Sequence, residues 1–267
     1  MDLKQRKLWI FDVDNTLVHN VEQPTPFPDA LSLWNHLIET GRSVAALTNV
    51  GRLSARTVHG VMTAAGFRVE LDNVFTAGAA AAAYIHNRNP SARCFVISEG
   101  GAIEDFVAKG LAVVNNPPVD YVAVGADRGL TYQRLNFAAK MVHAGAKLIC
   151  ISGSRDYPGV YLGVDDVYLG ERSVVAAIED ATGVESVIVG KPLPEILTEA
   201  VRYLGFSPEE SVMVGDAPSS DVAGGRAAGL LTVLVRRPDN IVPFDAGNLD
   251  QTPDIAVDSL NEIISMI

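Results

Sequence analysis

A four-residue apolar run, Leu8 to Phe11, stops abruptly at two carboxylates one residue apart, Asp12 and Asp14. So short a run, rich in aromatic and β-branched residues, reads as a buried strand. Acidic side chains at its carboxyl end fall where open α/β sheets bind ligands. Two carboxylates there repel each other unless a cation or a shared proton offsets the repulsion. Alone, the pair also fits a strand followed by an acidic turn.

The 267 residues suffice for one large domain or two modest ones. With 48% hydrophobic and 20% charged residues, the composition is that of a soluble globular protein. A net charge of −11 with no basic stripe argues against nucleic acid or an anionic membrane as partner. The basic start, MDLKQRK, is followed by too few apolar residues for a secretory core. No stretch reaches the length of a membrane span. Cys94 and Cys150 each lie in an apolar, strand-like run, so buried free thiols and a cytoplasmic location are expected.

Strand-like and helix-like segments alternate along the chain, which predicts an α/β fold. Further strands are expected at Ser43–Leu47, Asn73–Thr76, Ser211–Val214 and Leu231–Val235, with helices at Ala30–Thr40 and Glu195–Leu204. The alanine run Ala79–Ala83 suits a helix. The middle of the chain repeats the pattern. Strands are expected at Ala92–Ser98, Tyr121–Val124 and Lys147–Ile151, and helices at Glu104–Lys109, Tyr132–Ala144 and Ser173–Thr182. This block could build its own sheet. Trp34 and Tyr132 sit at helical core spacing.

Three more segments join the first acidic pair. Thr48-Asn49 ends the second strand, where a hydroxyl and backbone N–H groups can hold phosphate oxygens. Lys191, in Gly190-Lys191-Pro192, can neutralise a carboxylate or a phosphoryl group as a point charge. Gly215-Asp216, with Asp221 five residues on, returns carboxylates to a sheet edge, and hard oxygen ligands suit Mg²⁺. Each also fits a structural role alone. Together they close a chemistry: phosphoryl transfer needs an in-line nucleophile, distributed positive charge and a proton donor for the leaving oxygen. Asp12 can attack, and Asp14 can give and take the proton.

These four segments resemble the motifs of the haloacid dehalogenase superfamily of phosphatases. The resemblance spans nearly the whole chain. The long insert is similar to the α/β cap of class IIA, the NagD, 4-nitrophenyl phosphatase, phosphoglycolate phosphatase and pyridoxal phosphatase branch. Stretches at 122–138, 174–183, 190–197 and 215–230 add to it. The resemblance implies a Rossmann-like, doubly wound parallel core over 1–78 and 188–267, with an α/β cap domain inserted at 79–187. It implies that Asp12 is the nucleophile that becomes aspartyl-phosphate, and that Asp14 is the general acid/base, its main-chain carbonyl on Mg²⁺. Thr48, the Asn49 backbone and Lys191 would bind the substrate phosphate. Asp216 would ligate the metal, with Asp221 supporting it. The expected partner is a small phosphorylated metabolite, and a homodimer through the cap is expected from the same resemblance.

The chain departs from this branch in places. Residue 15 is Asn where Gly is usual, and Val50-Gly51 replaces an Asn and a following Ser or Thr. Ala217 replaces a common Arg, and Ser220 a usual Thr. The cap loops Ser152–Asp156 and Tyr168–Glu171 are also altered. Two other functional readings stay open: a phosphotransferase or mutase using the same intermediate, and a catalytically impaired protein that binds a phosphorylated ligand. None of the five histidines has the spacing of a zinc site. His19 could approach the acidic pair. Arg128 and Arg155 could meet a substrate carboxylate or second phosphate.

Overall fold

The computed structural model describes residues 3–22, 24–237 and 249–267. In chain order the first elements are β1 (Leu8–Phe11), α1 (Pro28–Glu39), β2 (Ser43–Thr48), α2 (Ala55–Ala64), β3 (Val74–Thr76) and α3 (Ala77–His86). Next come β4 (Arg93–Ile97), α4 (Gly101–Ala108), β5 (Ala112–Val113), β6 (Tyr121–Val124), α5 (Tyr132–His143) and β7 (Lys147–Cys150). They are followed by β8 (Asp156–Tyr161), β9 (Val164–Leu169), α6 (Glu171–Thr182) and β10 (Val187–Ile188). The last are α7 (Glu195–Tyr203), β11 (Ser211–Gly215), α8 (Ala223–Ala227), β12 (Leu231–Val235), β13 (Ile255–Val257) and α9 (Asn261–Ile264).

The chain divides into two units, one of residues 1–48, 56–75 and 191–267, the other of 49–55 and 76–190. The first holds a six-stranded sheet of order β13-β12-β11-β1-β2-β3. β1 pairs in parallel with both β11 and β2, and β12 in parallel with β11 and β13. Strand order therefore runs outward in both directions from the β1/β11 boundary, the doubly wound pattern whose ligand crevice lies at the reversal point. Every residue of β1 is fully buried, as a central parallel strand covered on both faces requires. Phe11, Trp34 and Phe67 pack in tilted and edge-to-face contacts, ring centroids 5.3 and 5.4 Å apart, and tie β1 to α1.

The second unit holds a five-stranded parallel sheet of order β10-β7-β6-β4-β5 and the antiparallel hairpin β8-β9. Its core is built from Phe95, Ile97, Val122, Val124, Leu148 and Cys150 of the sheet against Ala138, Met141, Val142, Val175 and Ile178 of the helices. Both cysteines are free and buried. Among the described residues no helix is long and apolar enough to cross a membrane.

The α/β architecture agrees with the sequence reading, and most strands fall within a residue or two of expectation. Three features differ. Tyr132, expected in the core, is 78% exposed, because it occupies the first position of α5, just after the Thr131 cap, and faces outward. The helix expected at Glu104 begins at Gly101, whose Cα lies so close to the Leu53 backbone that no side chain fits. The hairpin β8-β9 occupies the stretch between the two altered loops, which carried no clear strand signal, and the apolar residues of β9 lie outside a core. Val164, Val167 and Leu169 are each more than half exposed.

Candidate active site

The register of the first sheet builds the site. Phe11 pairs with Val214 on one side and with Ala46 on the other. The residues just beyond these pairs are Asp12, Gly215 and Leu47, so three strand ends meet at one level. The Asp12 N–H donates to the Val214 carbonyl at 2.9 Å and continues the ladder to the nucleophile candidate itself. Gly215 is required next to it: a Cβ there would fall within the Asp221 carboxylate.

Lys191 is buried at the centre. Its Nζ donates to Asp12 Oδ1 at 2.7 Å, to Asp221 Oδ1 at 2.7 Å and to the Leu47 carbonyl at 3.2 Å. All three hydrogens of the ammonium thus have an acceptor. Burial opposes a charge on Lys191, but Asp12 and Asp221 outweigh it and hold the ammonium above the ordinary lysine value. Asp216 is held by two neighbours of Asp12: Asn15 Nδ2 donates to its Oδ2 at 2.7 Å and Thr16 Oγ1 to its Oδ1 at 3.2 Å. The Asp221 carboxylate accepts from the Ala217 N–H at 3.1 Å.

Asp12, Asp216 and Asp221 are buried and bring carboxylate oxygens within 4.8 Å of one another. One ammonium does not balance three carboxylates. Burial pushes Asp12 well above its ordinary value, with Asp221 and Asp216 adding to the rise and Lys191 opposing it. Burial, then Asp221, likewise push Asp216 up to about 6 against its hydrogen bonds from Asn15 and Thr16. An all-oxygen donor set with uncompensated negative charge fits a hard divalent cation.

The four charged residues expected at the site therefore meet: Asp12, Lys191, Asp216 and Asp221. Asp14 lies half-buried in the loop after β1 and its carboxylate stands outside the triad, where it accepts the Val21 N–H at 2.9 Å. Thr48 is buried at the end of β2, and Asn49 begins the second unit. His19 is exposed and packs against Phe27, ring centroids 4.0 Å apart. Arg128 is engaged within the second unit by Glu99, with Nε and Nη2 donating to its two carboxylate oxygens at 2.6 and 2.7 Å. Arg155 is exposed.

Sequence reasoning assigned no role to Asn15 or Thr16. A signal was present in Asn15, which adopts φ +55°. Asn tolerates this left-handed region better than other non-glycine residues. It thus takes the backbone role of the usual Gly and adds a donor to Asp216.

Comparison with known proteins agrees with this geometry. A family model described as haloacid dehalogenase-like hydrolase matches residues 7–229. The acid sugar phosphatase of Staphylococcus aureus is 28% identical over 269 residues, covering 98% of each chain. The solved p-nitrophenyl phosphatase of Archaeoglobus fulgidus is 28% identical with a TM-score of 0.87, covering 98% of this chain and 99% of its own. The 4-nitrophenylphosphatase of Thermotoga maritima is 27% identical with a TM-score of 0.88, covering 98% of each. The chain belongs to the haloacid dehalogenase-like hydrolase family.

Proposed function

We propose that this hydrolase is a Mg²⁺-dependent phosphatase that cleaves a small phosphorylated metabolite through an aspartyl-phosphate intermediate. One observation carries the reading: a buried ammonium lies 2.7 Å from Asp12 at the reversal point of the sheet, beside two further carboxylates. The names of its relatives, acid sugar phosphatase and 4-nitrophenylphosphatase, favour a phosphomonoester as substrate.

Asp12 is the nucleophile, its carboxylate attacking phosphorus in line with the leaving oxygen. Lys191 orients that carboxylate and places positive charge beside the phosphoryl oxygens. Asp14 donates a proton to the leaving oxygen and then takes one from the hydrolytic water. The Thr48 hydroxyl and the Asn49 backbone bind phosphate oxygens. Asp12, the Asp14 carbonyl and Asp216 would hold Mg²⁺, with Asp221 supporting them. The bound ion would neutralise the carboxylates and the phosphoryl charge.

The test is release of inorganic phosphate from a panel of sugar phosphates, other phosphorylated metabolites and 4-nitrophenyl phosphate, with and without Mg²⁺. Release from at least one ester only with a divalent cation is expected. No release across the panel, with cation present and folded protein, would contradict the assignment.

A further inference from the structure

Arg237 follows β12, far along the chain from the first acidic pair, yet it ends beneath the loop that carries that pair. Its side chain is buried, and Nη1 donates to both oxygens of Asp29, at 3.1 and 3.0 Å. Nη2 donates to the Thr16 carbonyl at 3.0 Å. The guanidinium carbon lies 3.9 Å from the centroid of the Phe27 ring. Phe27 closes the same loop, its N–H donating to the Leu17 carbonyl at 3.0 Å. Asp29 is fixed in turn by the Ser259 hydroxyl at 3.1 Å and the Leu260 N–H at 2.8 Å. One planar cation therefore holds the loop after β1 at two points, Thr16 and Phe27, and ties them to the Asp29 carboxylate.

The grip falls at a consequential residue. Thr16, whose carbonyl Arg237 holds, donates its hydroxyl to Asp216. A guanidinium can satisfy Asp29 and the Thr16 carbonyl at once because its donors form a rigid fork, which an ammonium cannot reproduce. We infer that Arg237, oriented by Asp29, is a positioning residue for this reaction: it sets the Thr16 backbone, and through the Thr16 hydroxyl the orientation of Asp216. Arg237 touches neither the three carboxylates nor the reacting atoms and acts only through Thr16. Groups that orient metal-binding side chains from behind commonly alter metal affinity or activity by 10–100-fold when removed.

The inference rests on the proposed metal-dependent phosphatase, so wild-type protein is tested first. Mg²⁺ is titrated against the thermal midpoint of the intact protein without substrate, and separately against 4-nitrophenyl phosphate turnover. Arg237→Lys keeps a cation for Asp29 but loses the fork. The expected result is a weakening of Mg²⁺ binding by about tenfold in the thermal titration, a fall in kcat, and a KM within about twofold of wild type. Asp29→Asn, which leaves the arginine but loosens its orientation, should move the same constants in the same direction and keeps the test open if the lysine variant fails to fold. The effects of Arg237→Lys and Thr16→Val on Mg²⁺ binding should be clearly less than additive, because both act through one hydroxyl. A folded Arg237→Lys with wild-type Mg²⁺ affinity and kcat, or additive effects with Thr16→Val, would overturn the inference while leaving the phosphatase reading intact. Wild-type protein that shows neither Mg²⁺ stabilisation nor turnover would overturn both.

Discussion

Lys191 Nζ lies 2.7 Å from Asp12 Oδ1, although 179 residues separate them in the chain. The pair is buried and has Asp221 as a third member at the same distance from the ammonium. Taking these charges out of water is costly, and their mutual attraction offsets that cost only while the set is complete. Lys191→Met should therefore destabilise the metal-free protein by about 3–5 kcal/mol, measured by urea unfolding, as well as remove activity. A variant of wild-type stability would mean that the ammonium is not the group holding these carboxylates together.

Gly215 gives a sharper steric test. A methyl group at this position would occupy the space of the Asp221 carboxylate, whose own backbone is fixed by the Ala217 carbonyl. Gly215→Ala should displace Asp221 from Lys191 and lower kcat by at least about 100-fold, since displacements near 1 Å at a reacting centre cost that much. Steady-state kinetics on the purified variant checks this.

Asn15 separates backbone strain from side-chain chemistry. At φ +55°, Asn15→Ala should lose about 1–2 kcal/mol of stability. Asn15→Gly relieves the strain and should stay within about 1 kcal/mol of wild type, yet both lack the donor to Asp216. Thermal melts should therefore distinguish the variants, while both show weakened Mg²⁺ activation.

Two buried acids of the second unit predict a pH dependence independent of the site. Burial pushes Glu171 up to about 7, against the backbone N–H groups of Glu171 and Ala126 and the Arg52 charge. Burial pushes Asp105 up to about 6, against its hydrogen bonds from Ala55 N–H and Thr76 Oγ1. A carboxyl whose pKa is higher folded than unfolded binds more protons in the native state. Its contribution thus falls as pH rises from the unfolded value to the folded one. Metal-free protein should lose stability between about pH 4.5 and 7, and Glu171→Gln should flatten that slope, by roughly 3 kcal/mol at most. Thermal melts across this range with the two proteins side by side test the sign.

The central strand and its acids were legible because a fully buried parallel strand must be continuously apolar, and the break at Asp12 marks its carboxyl end. Lys191 and Asp216 were legible as candidate charges from residue type and motif, but not as neighbours of Asp12, since neither residue's flanking sequence reveals which strand ends will share a level. That follows from sheet order, which places β11 beside β1. The altered residues Gly51 and Glu171 read as unrelated departures in the sequence. Within the second unit they meet: a Cβ on Gly51 would lie 2.9 Å from Glu171 Oε1, so any larger residue at position 51 would have to displace that buried carboxylate. Arg237 left no trace in any motif. Its role depends on a fork of hydrogen bonds that only tertiary structure assembles.

The most direct measurement concerns the covalent intermediate. Asp14→Asn protein, impaired in passing a proton to and from the reacting oxygens, is mixed with 4-nitrophenyl phosphate and Mg²⁺, quenched in acid, and examined by intact-protein and peptide mass spectrometry. The account predicts one added phosphoryl group per chain, located on Asp12 and absent from Asp12→Asn. A protein that releases phosphate while Asp12→Asn retains most of the wild-type rate, with no adduct on Asp12, would contradict it.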